Sequence, residues 1–174
     1  MKMAHDLYAE TNPAFCAYLL ATFASAYEEE KSVSPEMMLC YTALPLALSG
    51  DLEHTFNGTN KTTGLLEWLQ RHPEIQIELS IRINSSMDIV TEAIQYGCFA
   101  QLLTLTDEGQ LQTGTKATNK AAINRLSMEN QAAFKQAKLL GAWLATAGTA
   151  RTTLNMMGPP GVRLVVASAD LSKR

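Results

Sequence analysis

The chain has 174 residues, 47% of them hydrophobic and 18% charged, with a net charge of −3. That length supports one real core rather than two full domains, and the apolar content excludes disorder as a description of the whole chain. The longest apolar run, Met37–Leu48, is interrupted by Thr42 and Pro45 and falls short of the roughly 20 residues of a membrane helix.

Asn12-Pro13 opens the first predicted helix, because Asn caps free N–H groups and Pro fits the first helical position. From Ala14 to Tyr27 almost every residue is apolar, so this helix has no face suited to water and needs cover from the core or from another protein. Ser34-Pro35 starts a second helix, with Met37, Met38, Tyr41, Leu44 and Leu48 at helical spacing and Pro45 placed to kink or end it. Residues 55–62 read as a polar, turn-rich connector, and their two glycosylation-type triplets carry no meaning without a secretory signal. A short helix with Leu65, Leu66, Trp68 and Leu69 ends before Pro73.

Residues 75–83 stay open. Ile75, Ile77, Leu79, Ile81 and Ile83 alternate as in a strand, yet Ile75–Leu79 and Ile77–Ile81 are also four apart, and Pro73 can open a helix. Ser85-Ser86 then reads as the cap of a clearer helix carrying Ile89, Val90, Ala93, Ile94 and Gly97. The segments around Leu103–Leu105 and Leu111–Thr113, joined through Gly109, give the clearest hairpin signal. Residues 114–126 are polar and basic and are expected as loop. Ser127 caps a long helix through Leu144, a short helix follows over 149–157, and Gly158-Pro159-Pro160-Gly161 breaks regular structure. The expectation is a mainly α chain with a small β-hairpin: a winged helix-turn-helix-like core flanked by long N- and C-terminal helices. Residues 1–157 form the single domain of this reading, and 158–174 a C-terminal arm or tail.

Charge divides along the chain. Residues 1–109 carry 15 acids against 5 Lys and Arg, and residues 110–174 carry 2 against 9. Either the two parts pack and neutralise each other, or the basic part faces a phosphate backbone or an acidic partner. The candidate nucleic-acid contacts are Lys116, Lys120, Arg125, Lys135 and Lys138. The helix that would enter a groove carries Asp88, Thr91, Glu92 and Gln95 outward, and its acids repel phosphates. This favours a protein-interaction module over a sequence reader.

Chemistry-bearing motifs are scarce. His5, His54 and His72 lie far apart with no ligand-like spacing, and metal-loop, phosphate-cradle, dinucleotide and nucleophile-elbow patterns are all missing. Cys16, Cys40 and Cys98 are odd in number and set among apolar residues, which reads as buried, inert thiols in a reducing compartment. No catalytic residue, metal ligand or cofactor is expected, and a hidden enzyme built on Cys98 or His72 has no motif behind it. The opening Met1-Lys2-Met3-Ala4-His5-Asp6 has no apolar signal stretch, so a cytoplasmic location without membrane contact is the expectation.

A family resemblance rests on several stretches taken in order. These are Asn12-Pro13-Ala14-Phe15-Cys16-Ala17, Leu44-Pro45-Leu46-Ala47-Leu48, Leu65-Leu66-Glu67-Trp68-Leu69, Arg82-Ile83 leading to Thr91-Glu92-Ala93-Ile94, the Gly109 hairpin, and Ala137 to Leu144. Over roughly residues 11–158 the chain resembles the small middle component of bacterial three-component ABC systems, a group that includes Lamassu-like antiphage defence. The ending around Gly161-Val162-Arg163 follows the family's closing pattern only loosely. The resemblance implies a non-enzymatic adaptor or regulator between an SMC-like coiled-coil ATPase and an effector protein, with any DNA contact indirect or non-specific. It assigns no binding residue. The partner surface expected from the residues themselves is the first helix, through Phe15, Tyr18, Leu19 and Phe23. The rival reading is a winged-helix DNA-binding regulator contacting the phosphate backbone.

Overall fold

The computed structural model describes residues 12–158 except 117 and 119, so the arm expected over 158–174 lies outside the described residues from 159 onward. The elements in chain order are α1 (Pro13–Lys31), α2 (Met37–Leu48), a 3-10 helix (Gly50–Phe56), α3 (Gly64–Arg71), α4 (Glu74–Phe99), β1 (Leu103–Leu105), β2 (Leu111–Thr113), α5 (Lys120–Ile123), α6 (Met128–Thr146) and α7 (Ala150–Met157). The described chain is mainly helical with one two-stranded antiparallel sheet. No helix among the described residues is long and apolar enough to cross a membrane.

The start signals at Asn12, Ser127 and Thr149 work as chemistry requires, whereas Ser34 caps no helix: α2 begins after Glu36 without a side-chain cap. The Asn12 Oδ1 accepts the Ala14 N–H at 3.0 Å and the Phe15 N–H at 3.4 Å, with Pro13 next in the first turn. Ser127 accepts the Asn130 N–H at the start of α6, and Thr149 accepts the Thr152 N–H at the start of α7. Pro45 neither ends nor shortens α2, which runs three residues further. The Ser49 hydroxyl then donates to the Pro45 carbonyl at 2.6 Å.

α1 is the centre of the molecule. It packs most extensively on α6, then on α4, and touches α2 and β2 as well. α1 and α6 run parallel. Phe15 meets Phe134 edge-on at 5.6 Å, Gly141 lies against Phe23 and Tyr27, and Lys31 donates to the Gly148 carbonyl. A Cβ on Gly141 would come within 2.5 Å of the Phe23 carbonyl oxygen, so only glycine lets the two backbones approach this closely. At one end of α6, Trp143, Trp68 and Phe56 form a ring cluster with centroids 4.9–6.0 Å apart. Trp68 and Trp143 give their indole N–H groups to the Thr55 and Asn60 carbonyls, which satisfies both while buried. Thr55 and Phe56, expected to open the connector over 55–62, are instead the buried end of the 3-10 helix.

The hairpin pairs Leu103 with Thr113 and Leu105 with Leu111, as the alternation predicts. Pro35 and Met37 extend it, since Leu111 donates to the Pro35 carbonyl and Met37 to the Gly109 carbonyl. Glu28 fastens this sheet to α1: its carboxylate accepts the Thr113 N–H at 3.0 Å, the Thr113 hydroxyl at 2.5 Å and the Ser34 hydroxyl at 2.9 Å.

The segment left open resolves as helix. Residues 75–83 and the later helix are one element of 26 residues, α4. Ser85 and Ser86 cap nothing. Their hydroxyls donate back to the Arg82 and Ile83 carbonyls, which lets the helix continue through them. Residues 114–126 hold the short α5 inside the expected loop.

Candidate interaction surface

The first helix does not offer the patch its composition suggests. Leu19 and Phe23 are fully enclosed by the chain's own helices, and Phe15 is half-buried against Phe134. Of the four residues Tyr18 is the most exposed, at 36%. The helix lacks a polar face because α2, α4, α6 and β2 cover it from several sides.

The basic residues are scattered rather than gathered. Lys135 and Lys138 line a cleft with Glu29, Glu30, Lys61 and Leu139, and Lys61 pairs with Glu30 there. At this seam the acidic end of α1 lies beside the basic side of α6, and the ion pair formed there, Lys61 with Glu30, joins two residues of the acidic part. Lys116 and Arg125 are exposed and do not line that cleft. The side chain of Lys120 lies outside the described residues.

The surface that composition did not reveal is the outer side of α4. Ile75 and Leu79 point into the core, while Ile77 and Ile81 stand 70% and 68% exposed. Four residues apart, the two exposed isoleucines share a face and lie side by side. Phe99 ends the same helix at 88% exposure. Glu78, Asp88 and Glu92 are exposed along it, so the surface is apolar with an acidic surround. The signal was the double periodicity of these residues: a strand would set all five on one face, whereas the helix separates Ile75 and Leu79 from Ile77 and Ile81.

Two polar clusters flank the N-terminal part of α4. Arg82 donates to Asp51 at 2.5 and 3.1 Å, to Glu78 at 2.8 Å and to the Ser49 hydroxyl at 3.0 Å. The Arg82 hydrogen bonds keep the Asp51 carboxyl below the usual carboxylate range, and Asp51 in turn raises Arg82. Beside them, His54 and His72 meet edge-on with centroids 5.9 Å apart, both facing Glu74. Histidines 18 positions apart in sequence thus become neighbours, contrary to the isolation expected from their spacing. Glu74 is held below the usual range by its own backbone N–H and then by His72. The thiols divide as well: Cys16 and Cys40 are buried, whereas Cys98 is half-buried. Burial pushes the Cys40 thiol up to about 12, which leaves it protonated and unreactive.

Comparison with curated proteins finds no match, and comparison with solved structures finds none. A protein family does match, over residues 2–159, which covers every helix among the described residues, the hairpin and the outer side of α4. By that match the chain belongs to the family described as the ABC-three component (ABC-3C) system Middle Component 3.

Proposed function

We propose that this middle component is a non-enzymatic adaptor, bridging a coiled-coil SMC-like ABC ATPase and an effector protein in bacterial antiphage defence. Membership of a multi-component system supports the need for partners. The observation that carries the reading is the pair Ile77 and Ile81, exposed side by side on α4 within an acidic surround. Scattered single apolar residues are ordinary on a protein surface, but adjacent large ones on a long rigid helix form an anchor that a partner can cover. The matching surface on the partner is apolar with a basic rim.

The test is co-purification of the assembled system with the double variant Ile77→Glu, Ile81→Glu. Both side chains are solvent-facing, so the thermal transition of the isolated protein should stay within a few degrees of wild type. Loss of the ATPase or of the effector from the assembly is the expected outcome. An assembly recovered in full yield with the variant removes the reading. The phosphate-backbone alternative makes a different prediction: affinity for DNA that falls steeply with salt and drops on substituting Lys116 or Arg125.

A further inference from the structure

We propose that His54, His72 and Glu74 form a site for a divalent transition-metal ion of the zinc class. His54 comes from the 3-10 helix, His72 from the end of α3 and Glu74 from the first position of α4, with Pro73 fixing the backbone between the last two. Their donor atoms lie within 4.8 Å of one another. The His54 Nε2 is 3.8 Å from the Glu74 Oε1, and the His72 Nδ1 is 3.1 Å from the same oxygen. Ligands placed at zinc-bond lengths around a tetrahedron are separated by about 3.3–3.6 Å. These two separations bracket that range and the third lies within 4.8 Å, so side-chain rotations would bring the three donors onto one ion.

The surroundings fit a metal ligand better than a chance histidine. The His54 Nδ1 lies 2.8 Å from the Asp51 carbonyl oxygen, which can only accept. That contact keeps the ring proton on Nδ1 and leaves the Nε2 lone pair directed at the cluster, the outer-shell arrangement common to metal-binding histidines. A simple ion pair needs one imidazole per carboxylate, whereas two ring nitrogens here face the same oxygen. The donor set, two imidazoles and one carboxylate, suits zinc rather than calcium or magnesium, which take oxygen ligands. Three ligands among the described residues leave a fourth position for water or another donor. The bound ion would tie the 3-10 helix to the α3–α4 junction, one helical turn from Ile77.

The experiment is a zinc titration of the full chain after treatment with a chelator, followed by calorimetry and by thermal unfolding. One ion per chain and a raised transition temperature are expected. His54→Ala, His72→Ala and Glu74→Gln should each weaken binding by more than about tenfold, while Cys98→Ser leaves it unchanged. The metal-free variants should unfold where the metal-free wild type does, because none of the three side chains belongs to the core. Cobalt in place of zinc should give the visible bands of a four-coordinate site, and His72→Ala should abolish them. Zinc binding that survives both histidine substitutions, or no binding by the wild type at micromolar zinc, overturns the proposal.

Discussion

α1 and α4 are the two long helices of the N-terminal half, and they resolve their apolar residues in opposite ways. α1 is apolar nearly all round and buries nine of its 19 residues, including Leu19, Leu20 and Phe23. α4 is longer, at 26 residues, yet buries six and leaves Ile77, Ile81 and Phe99 in solvent. The apolar content of a helix sets how much cover it needs, but not who provides it. In α1 the chain itself supplies the cover. In α4 a few large residues lie on the wrong side of an otherwise ordinary amphipathic pattern, and those point outward.

The sharpest way to break this comparison is truncation on both helices. Phe23→Ala should cost about 3–5 kcal/mol, because it empties a fully enclosed site between α1 and α6. Ile81→Ala should change stability by no more than about 0.5 kcal/mol. Chemical denaturation of the two variants checks both values. Equal losses would mean that α4 is covered by the chain in solution and that its outer face is not a surface.

A second variant probes how closely α1 and α6 must approach. Gly141→Val places a branched side chain where even a Cβ meets the Phe23 carbonyl oxygen at 2.5 Å and the Ala26 Cβ at 2.8 Å. Neither neighbour is a flexible side-chain tip, so the helices must separate. The expected cost is about 1–3 kcal/mol or more, read as a lower transition temperature. A wild-type transition temperature would show that the parallel seam can open without loss.

Much of the fold was legible wherever local chemistry decides. Asn12-Pro13 and Ser127 announce α1 and α6 because capping is a contact between residues two or three apart. The hairpin was legible because alternation and the Gly109 turn agree, and that glycine does adopt a positive φ of 76°. The first part of α4, residues 75–83, was not legible, since isoleucines at every second position satisfy a strand and, at every fourth, a helix. Only the core settles it, by taking Ile75 and Leu79 and rejecting Ile77 and Ile81. The candidate site shows the same limit more strongly. Nothing local brings His54 to His72, because the path from the 3-10 helix to the end of α3 depends on where Phe56 and Trp68 pack. Leu19 and Phe23, expected at a partner surface, are enclosed by the chain's own helices for the converse reason: an apolar run carries no label for the surface that will enclose it.

Glu28 extends the comparison to the hairpin, which leans on α1 through a single carboxylate. Glu28→Gln keeps the size but removes the charge, and one of the three donors to it loses its acceptor. Hydrogen bonds to a charged group contribute about 1.5–3 kcal/mol, so a loss of about 1–2 kcal/mol is expected. Amide exchange should rise at Thr113 and not in the middle of α6. Uniform acceleration across the protein would instead mean that sheet and helices open together.

The smallest effect expected concerns the attachment of α4 to the 3-10 helix through Asp51 and Arg82. The folded protein holds the Asp51 carboxyl below its unfolded value, first through the Arg82 hydrogen bonds. A depressed carboxyl binds fewer protons in the folded state than in the unfolded one. Its contribution is therefore complete above the unfolded value near about 3.9 and disappears as pH falls through the folded value. Asp51→Asn should accordingly be less stable than wild type at neutral pH, with the two converging in acid. The Asp51 side chain is 61% exposed, so solvent screens the pair and the neutral-pH difference should stay below about 1 kcal/mol. Denaturation midpoints measured from neutral pH down to strong acid would show it. A gap that widens in acid would require the carboxyl to be raised rather than lowered, and would detach α4 from the anchor assigned to it.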